Sequence, residues 1–487
     1  MRGRRLRAEA RLRYRGTMHG PAPPRTPLAG APDATASADL ADAVRQLRRG
    51  TVLVVGDAML DRYVYGRVSR VSPEAPVPVL AVEREVALPG GAGNVVRNLT
   101  ALGAAVAFVS VVGDDQAGSD LTGLIGGQPG VEPWLLVQGG RATTTKTRFV
   151  AAGQHMLRAD HEQVSPVHPR LADRLVRIAA DAVAATAVMV LSDYSKGTLA
   201  GDVPARLIAA ARNAGRKVVV APRGAAPARY AGADLILPGS AELAQATGMP
   251  AGTEAEAAAA AAALRAAHDF GAVMVLRGEA GVTLVGAGDA VHCATDALEI
   301  VDWAGAGDAV LAVAACGLGA GLPLATVARL GALAAGIAVG KSGIGVVRED
   351  EFLEALVPGR LSARKLASRA QAAERVERWR RDGYRVGFLT GDTACGHPDL
   401  LDGGRSWCDR LVVATDDSDP AAEAFAASGA VDLVVRYGAG TVLDLIRLLR
   451  PDVLVQDPVG APDTVTGGEM LQEWGGTVRK PEPTPVG

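Results

Sequence analysis

Along most of this 487-residue chain, short apolar runs of strand length alternate with stretches of helical periodicity, and that alternation restricts the fold more than any other feature. The runs at 51–55, 107–112, 187–191, 217–220, 234–237 and 272–277 are nearly continuous in apolar residues, as strands buried on both faces are. Helical patterns at 37–49, 95–102, 116–124, 203–213 and 254–268 lie around and between them. This order predicts an α/β fold, a mostly parallel sheet with helices on both faces. Three stretches depart from the rhythm. Residues 67–82 contain Ser72-Pro73-Glu74-Ala75-Pro76-Val77-Pro78 and read as extended segments with turns, because proline breaks a helix and pushes its predecessor toward extended backbone. Residues 143–159 are β-rich, and 281–285 with 290–293 read as a hairpin.

In an open α/β sheet, polar residues just past a strand's C-terminal end face the ligand crevice. The first apolar run ends at Gly56-Asp57, with Asp61 a turn later. Asp57 and Asp61 are therefore candidates for binding the hydroxyls of a polyol; a pair of turn or capping aspartates is the alternative. The run 187–191 delivers Ser192-Asp193-Tyr194-Ser195-Lys196-Gly197 to the same kind of strand end. Two glycine-rich helix entries complete the set. Pro89-Gly90-Gly91-Ala92-Gly93-Asn94 leads into the helix at 95–102, where a sugar could approach the backbone and Asn94 could contact its hydroxyls. Val301-Asp302-Trp303-Ala304-Gly305-Ala306-Gly307-Asp308 precedes a small-residue run to Gly321 and reads as a tight loop opening into a buried helix. Such an opening presents free N–H groups and the positive helix end to an anion. Asp308, beside it, can take the proton from an attacking hydroxyl. Taken alone, the motif is also what a glycine entry turn with a nearby aspartate looks like, but two such entries in one chain are harder to dismiss.

Length predicts about two to four domains, each able to bury a core. A net charge of −2 leaves no global basic field, which argues against a nucleic-acid partner. The four cysteines are scattered without a CxxC pair, as reduced cytoplasmic thiols would be. No apolar stretch reaches membrane-spanning length without a glycine or charge, the nearest being 310–322, so no membrane association is expected. Residues 1–16 are crowded with arginine and lack the apolar core of a secretory signal. With the Pro/Ala-rich 20–32 they read as a disordered leader over 1–36, or as an over-extended start with Met18 as the alternative initiator.

The stretches "VVGDAMLDRYVYGRVSRVSPEAPVPVL", "PGGAGNVVRNLTALGA", "LSDYSKG", "RGEAGVTL", "DWAGAGDAVLA" and "AVGKSGIGVV" resemble the ribokinase-like (PfkB) carbohydrate kinases. Within them they resemble the kinase half of the bifunctional heptose 7-phosphate kinase/heptose 1-phosphate adenylyltransferases. The match runs over about residues 51–356; the first and third stretches are specific to the heptose branch, whereas GAGD marks only the superfamily. The resemblance implies a ribokinase-like three-layer sandwich with a small β lid. It makes Asp308 the base and the amides of Gly305, Ala306 and Gly307 an anion hole. Asp61, Gly90, Gly91 and Asn94 would hold the sugar, and Lys196 with Arg70 or Arg158 its existing phosphate. Arg277, Gly278, Gly281 and Lys341 fall in the region that would enclose ATP, and Glu242 would place Mg²⁺ through water. The chain departs from the family at Gly239, where Asn is usual, at Ala304, where Thr is common, and at Ala221-Pro222-Arg223, where Asp-Pro-Lys is common. These changes remove supporting groups and leave the base and anion hole.

A break at Val357-Pro358-Gly359 precedes a polar helix at 362–381. Strands at 384–389, 410–414, 432–435 and 453–455 and helices at 420–427 and 441–449 follow, giving a second, smaller Rossmann-like α/β unit. The domain reading is thus a kinase unit at 37–357, a linker at 358–362 and a second unit at 363–487. The pieces "DRLVVATDDSD", "LRPDVLVQD" and "EWGGTV" resemble the nucleotidyltransferase-type half of the same enzymes. That family's HxGH motif supplies two histidines to the phosphates, whereas this chain has Ala394-Cys395-Gly396-His397. The usual Lys-Gly-Gly is Gln456-Asp457-Pro458, no basic segment follows Asp419, and the Ser-Thr-Thr helix entry is missing. Gly396 and His397 therefore read as a degenerate second site that does not transfer AMP.

The expected function is ATP- and Mg²⁺-dependent phosphorylation of a sugar phosphate in the cytoplasm, at the anomeric hydroxyl of a heptose 7-phosphate. The resemblance further implies a homodimer through the β lid, and the losses in the second unit imply a separate adenylyltransferase. A related kinase for another sugar, or a non-catalytic binder of sugar phosphate or nucleotide, are the alternative readings.

Overall fold

The computed structural model describes residues 34–479 apart from 152–153, 225, 296–299, 342, 357–364, 382–383, 392–400, 402–403, 405–406, 417–420, 429, 439–440 and 456–466. Strands β1 (Thr51–Gly56), β2 (Ala58–Val71), β3 (Pro78–Gly91), β4 (Ala105–Gly113), β5 (Val131–Gln138), β6 (Thr145–Ala151) and β7 (Gln154–His161) come first. Next in the chain are β8 (Val188–Asp193), β9 (Lys217–Pro222), β10 (Leu235–Ile236), β11 (Ala272–Leu276), β12 (Val282–Val285) and β13 (Val291–Cys293). Nine of these form one sheet in the order β13-β12-β11-β10-β9-β8-β1-β4-β5, parallel from β11 to β5 and antiparallel at β11-β12-β13. The remaining four make a separate sheet, β3-β2-β6-β7. The segment 67–82, expected as extended segments with turns, forms the end of β2, the turn at 72–77 and the start of β3 in this lid.

Helices α1 (Ala34–Leu47), α2 (Ala92–Ala101), α3 (Gln116–Gly126), α4 (Pro169–Val183), α5 (Val203–Asn213), α6 (Ser240–Thr247), α7 (Glu254–His268), α8 (Ala306–Gly319), α9 (Leu324–Val339) and α10 (Glu349–Ala355) cover the large sheet. Strand periodicity sorts them into two layers. On β1, Val52 and Val54 pack into the core that holds α2, α8 and α9, while Leu53 and Val55 pack into the core that holds α4, α5 and α7. All four are fully buried, which is why the run had to be continuously apolar. Helix α2 starts at Ala92, three residues before the expected 95, so Asn94 lies in its first turn.

The second unit contains β14 (Leu366–Ala367), α11 (Arg369–Arg381), β15 (Val386–Thr390), β16 (Arg410–Thr415), α12 (Ala422–Ala427), β17 (Leu433–Arg436), α13 (Val442–Leu449), β18 (Val453–Val455), α14 (Gly468–Glu473) and β19 (Thr477–Arg479). Its all-parallel sheet runs β14-β17-β16-β15-β18-β19. The expected helix at 362–381 is corrected: Leu366 and Ala367 pair with Val434 and Val435, and the helix begins only at Arg369. Ser368 sets that start by exchanging hydrogen bonds with Gln371, its N–H to Oε1 at 3.0 Å and its Oγ accepting from the Gln371 N–H at 3.4 Å.

Candidate active site

The C-terminal ends of the neighbouring parallel strands β1, β8 and β9 bring Asp57, the loop 193–198 and Arg223 to one rim of the large sheet. Helix α8 opens at the same rim, with Gly305 as its N-cap and Asp308 in its first turn. Asp308 is 5 % exposed. Its Oδ2 accepts from Asn94 Nδ2 at 2.8 Å, and its Oδ1 accepts from the Tyr194 hydroxyl. Arg223 Nη2 stands 4.0 Å from the same Oδ1. Burial pushes the Asp308 carboxyl above its ordinary value, against the opposing pull of the Arg223 charge and the two hydrogen bonds. The outcome is a carboxylate more basic than a solvated one, held at a helix N-terminus.

Asp57 has a different surrounding. Its two oxygens accept the backbone N–H groups of Tyr194 (2.9 Å), Lys196 (3.0 Å) and Thr198 (2.9 Å), and it is 1 % exposed. Of the two readings open in the sequence, turn aspartate or polyol ligand, this geometry is that of the first: Asp57 shapes the loop that carries Tyr194. Asp61 is 3 % exposed and ion-paired with Arg148 of β6. Burial raises its carboxyl and Arg148 opposes the rise. A Cβ on Gly90 would lie 2.0 Å from Asp61 Oδ2, so this carboxylate reaches the end of β3, next to Gly91, the N-cap of α2.

Of the three phosphate candidates, Lys196 and Arg158 fall in one ion-pair cluster and Arg70 does not. Lys196 Nζ pairs with Glu162 at 2.8 Å and Arg158 Nε with Asp160 at 2.9 Å, and Lys146 Nζ links the two carboxylates at 2.9 Å and 3.5 Å. The hydrogen bond from Lys196 holds the Glu162 carboxyl below its usual range. Arg70 is exposed on β2, outside this cluster of three cations and two carboxylates.

Among the nucleotide candidates, Arg277 is 4 % exposed at its side chain, with Glu254 Oε1 3.6 Å from Nη1 and Gly252 O accepting from Nη2 at 3.4 Å. Gly278 and Gly281 form the turn between β11 and β12. Lys341 Nζ pairs with Glu351 Oε1 at 2.6 Å and donates to Val346 O. Both cations are thus engaged within the protein. Glu242, in the first turn of α6, accepts from Gly239 N at 2.8 Å and Gly224 N at 3.2 Å. Among the described residues no group of three or more His, Cys, Asp or Glu could hold a metal ion. Gly396 and His397 lie outside the described residues.

Sequence reasoning passed over Tyr194, Arg148 and Lys146 as site residues, and named Arg223 only as a departure. The strand-end rule applied to β8 and β9 points to Tyr194 and Arg223; nothing local marks Arg148 or Lys146, which lie within a strand.

Comparison with known proteins follows the same lines. Residues 49–350 match the pattern of the family described as pfkB family carbohydrate kinase. "Bifunctional protein HldE" of Acidiphilium cryptum (strain JF-5) is 52% identical over 466 residues, spanning 92% of this chain and 96% of its own length. The protein of the same name from Paramagnetospirillum magneticum is 44% identical over 462 residues, 90% of this chain and 94% of its own. Among solved structures, Arabidopsis thaliana ribokinase complexed with ribose and ATP covers 63% of this chain and 99% of its own, with a TM-score of 0.51 at 20% identity. Phosphofructokinase-2 from Escherichia coli in complex with substrates and products covers 63% and 98%, with a TM-score of 0.55 at 17% identity. At these identities the structural likeness is one of fold.

Proposed function

The chain belongs to the pfkB family of carbohydrate kinases, and from that premise we propose that it transfers the γ-phosphoryl group of ATP to the anomeric hydroxyl of D-glycero-D-manno-heptose 7-phosphate, giving the 1,7-bisphosphate on the route to ADP-heptose. One observation carries the chemistry: a buried carboxylate, Asp308, beside the N–H groups of Gly305, Ala306 and Gly307 at the start of α8. Asp308 accepts the hydroxyl proton, the sugar oxygen forms the new bond to phosphorus, and the bond to the ADP oxygen breaks. The amides and the helix end stabilise the charge on the group in transit. Asn94 and Asp61 hold sugar hydroxyls near Gly90 and Gly91. Lys196 and Arg158, with Lys146, receive the 7-phosphate by exchanging their carboxylate partners for it. Glu242 would hold Mg²⁺ through water, and the metal would supply charge screening to the nucleotide phosphates.

The heptose rests on the sequence stretches "GDAMLDRYVYGRVSRVSPEAPVPVL" and "LSDYSKG" and on the high identity to the HldE proteins. We assign the kinase to 37–357 and a second unit to 363–487, acting in the cytoplasm. In the second unit, Ala394 and Gln456-Asp457-Pro458 stand where catalytic groups are expected, which supports a unit that does not transfer AMP. The relatives' name "bifunctional" gives no support to a separate adenylyltransferase, so this part of the reading stands on those residues alone.

One preparation tests both halves. ATP with heptose 7-phosphate should yield ADP and a bisphosphate visible by ³¹P NMR, and Asp308→Asn should lower the rate about 10²–10⁴-fold. Absence of wild-type turnover would remove the kinase reading. With heptose 1-phosphate and ATP no ADP-heptose is expected; its formation would restore the second activity.

A further inference from the structure

Arg223 is fixed in place more thoroughly than a surface cation needs to be. Its backbone N–H donates to Asp193 O at 2.7 Å, and its carbonyl accepts from Ser195 Oγ at 2.8 Å. Both of its main-chain polar groups are therefore tied to the loop that carries Tyr194. The guanidinium lies over the Tyr194 ring, 5.5 Å from its centroid, an arrangement suited to a planar cation. From there it extends over the first turn of α8. A Cβ on Gly307 would lie 2.3 Å from Arg223 Nη2, so the absence of a side chain at 307 is what admits the guanidinium to the helix opening.

Neutralising Asp308 does not account for this arrangement. Asp308 is the one carboxylate within 4.0 Å of Arg223 among the described residues, and at 4.0 Å the contact is longer than a hydrogen bond. Both oxygens of Asp308 already have closer donors in Asn94 and Tyr194. A cation there also makes the carboxylate a weaker base, which by itself opposes proton abstraction. What remains is a rigidly stacked fork of N–H donors, next to the anion-binding helix end and one side chain away from the base.

We propose that Arg223 is a catalytic residue that grips the phosphoryl group while it passes from ATP to the sugar. Resting on the kinase reading above, it deepens that reading by assigning the cation that meets the equatorial oxygens. As the bond to ADP lengthens, charge spreads over those oxygens, and a guanidinium between base and helix end binds them more tightly than it binds ground-state ATP. Its effect belongs in kcat, not in the affinity for sugar.

The test is steady-state kinetics with Mg·ATP and heptose 7-phosphate on wild type, Arg223→Lys, Arg223→Gln and Arg223→Ala, each confirmed folded by its unfolding temperature. Arg223→Gln should lower kcat about 10³-fold with the heptose KM within about threefold. Arg223→Lys should recover part of the rate, because it keeps the charge and loses the fork. Added ethylguanidinium should raise the rate of Arg223→Ala and leave Arg223→Lys unchanged. If wild type turns over and Arg223→Gln matches its kcat within about threefold, the proposal is overturned. A fall in kcat that ethylguanidinium cannot rescue in Arg223→Ala, with KM rising in step, overturns it in favour of a structural role. A wild type without turnover brings down the kinase reading, and this proposal with it, and is recognised by the absence of ADP in the wild-type arm alone.

Discussion

Asp308 has both carboxylate oxygens hydrogen-bonded within the protein, and the two donors, Asn94 and Tyr194, lie 214 and 114 residues away along the chain. Each bond favours the ionised form, whereas burial, the largest influence, disfavours it and leaves the carboxyl raised. As the base proposed above, Asp308 works only when ionised, so the rate should fall as pH drops through this raised value. Removing the Tyr194 hydroxyl deletes one stabiliser of the anion, and the sign follows: Tyr194→Phe moves the acid limb of kcat to higher pH. A hydrogen bond to a charged group contributes about 1.5–3 kcal/mol, which corresponds to a shift of about one pH unit or more. A kcat–pH profile unmoved by Tyr194→Phe would show that this bond does not govern the base. At this scale the sequence was partly legible. Glycines with an aspartate ahead of a small-residue run announce a helix opening locally, and so the placement of Gly305 at the cap and Asp308 in the first turn could be read directly. Asp57 could be read only as a carboxylate at a strand end, because its three amide partners lie 137 to 141 residues away. Arg223 likewise acquires meaning only once β9 is set beside β8.

Helices α8 and α9 pack closely because their facing residues are small, which is where a composition with 4 % aromatics becomes structural. A Cβ on Gly317 would lie 2.7 Å from Val327 Cγ2, and one on Gly331 3.1 Å from Val310 Cγ1. Gly317→Leu should therefore overpack the interface and lower stability by about 1–3 kcal/mol, read as a lower urea midpoint, with the heptose KM of the folded fraction unchanged. An unchanged midpoint would mean that the two helices are free to separate. The legibility of each element tracked its end signals. Helix α7 matches its expected bounds because Thr253 and Glu256 form a reciprocal cap, the Thr253 Oγ1 accepting from Glu256 N at 3.2 Å and Glu256 Oε2 from Thr253 N at 2.9 Å. Helix α4 went unassigned, since its buried stripe is only Leu175, Ala179 and Val183 amid arginines and aspartates. Strand β5 also went unassigned: Pro133 argues against a central strand, and the structure puts it at the sheet edge, where proline is tolerated. Strand β14 has two residues and no periodicity to show, so its place was filled by an overlong helix.

Two sets of cores divide the whole molecule. One set draws its buried residues from Ala43 to Phe352 and the other from Ala367 to Leu471, and among the described residues no core cluster spans both. Each set closes around its own sheet, a mostly parallel one of nine strands in the first and an all-parallel one of six in the second. Separate cores predict separate cooperative units, since cooperativity follows shared burial more than covalent connection. Calorimetry should accordingly resolve two unfolding transitions. All of the residues assigned to the kinase site lie in the first unit, so only its transition should respond to kinase ligands. A non-hydrolysable ATP analogue at about 100 times its Kd contributes about 2.7 kcal/mol to the state that binds it, which is an upward shift of about 4 °C for a unit of this size. The transition of the second unit should stay where it was, because nothing proposed for that unit binds the analogue. If both transitions move together, the halves are thermodynamically coupled. If only the second moves, the nucleotide is bound by the unit proposed not to transfer AMP, and the proposed assignment of activity between the halves must be exchanged.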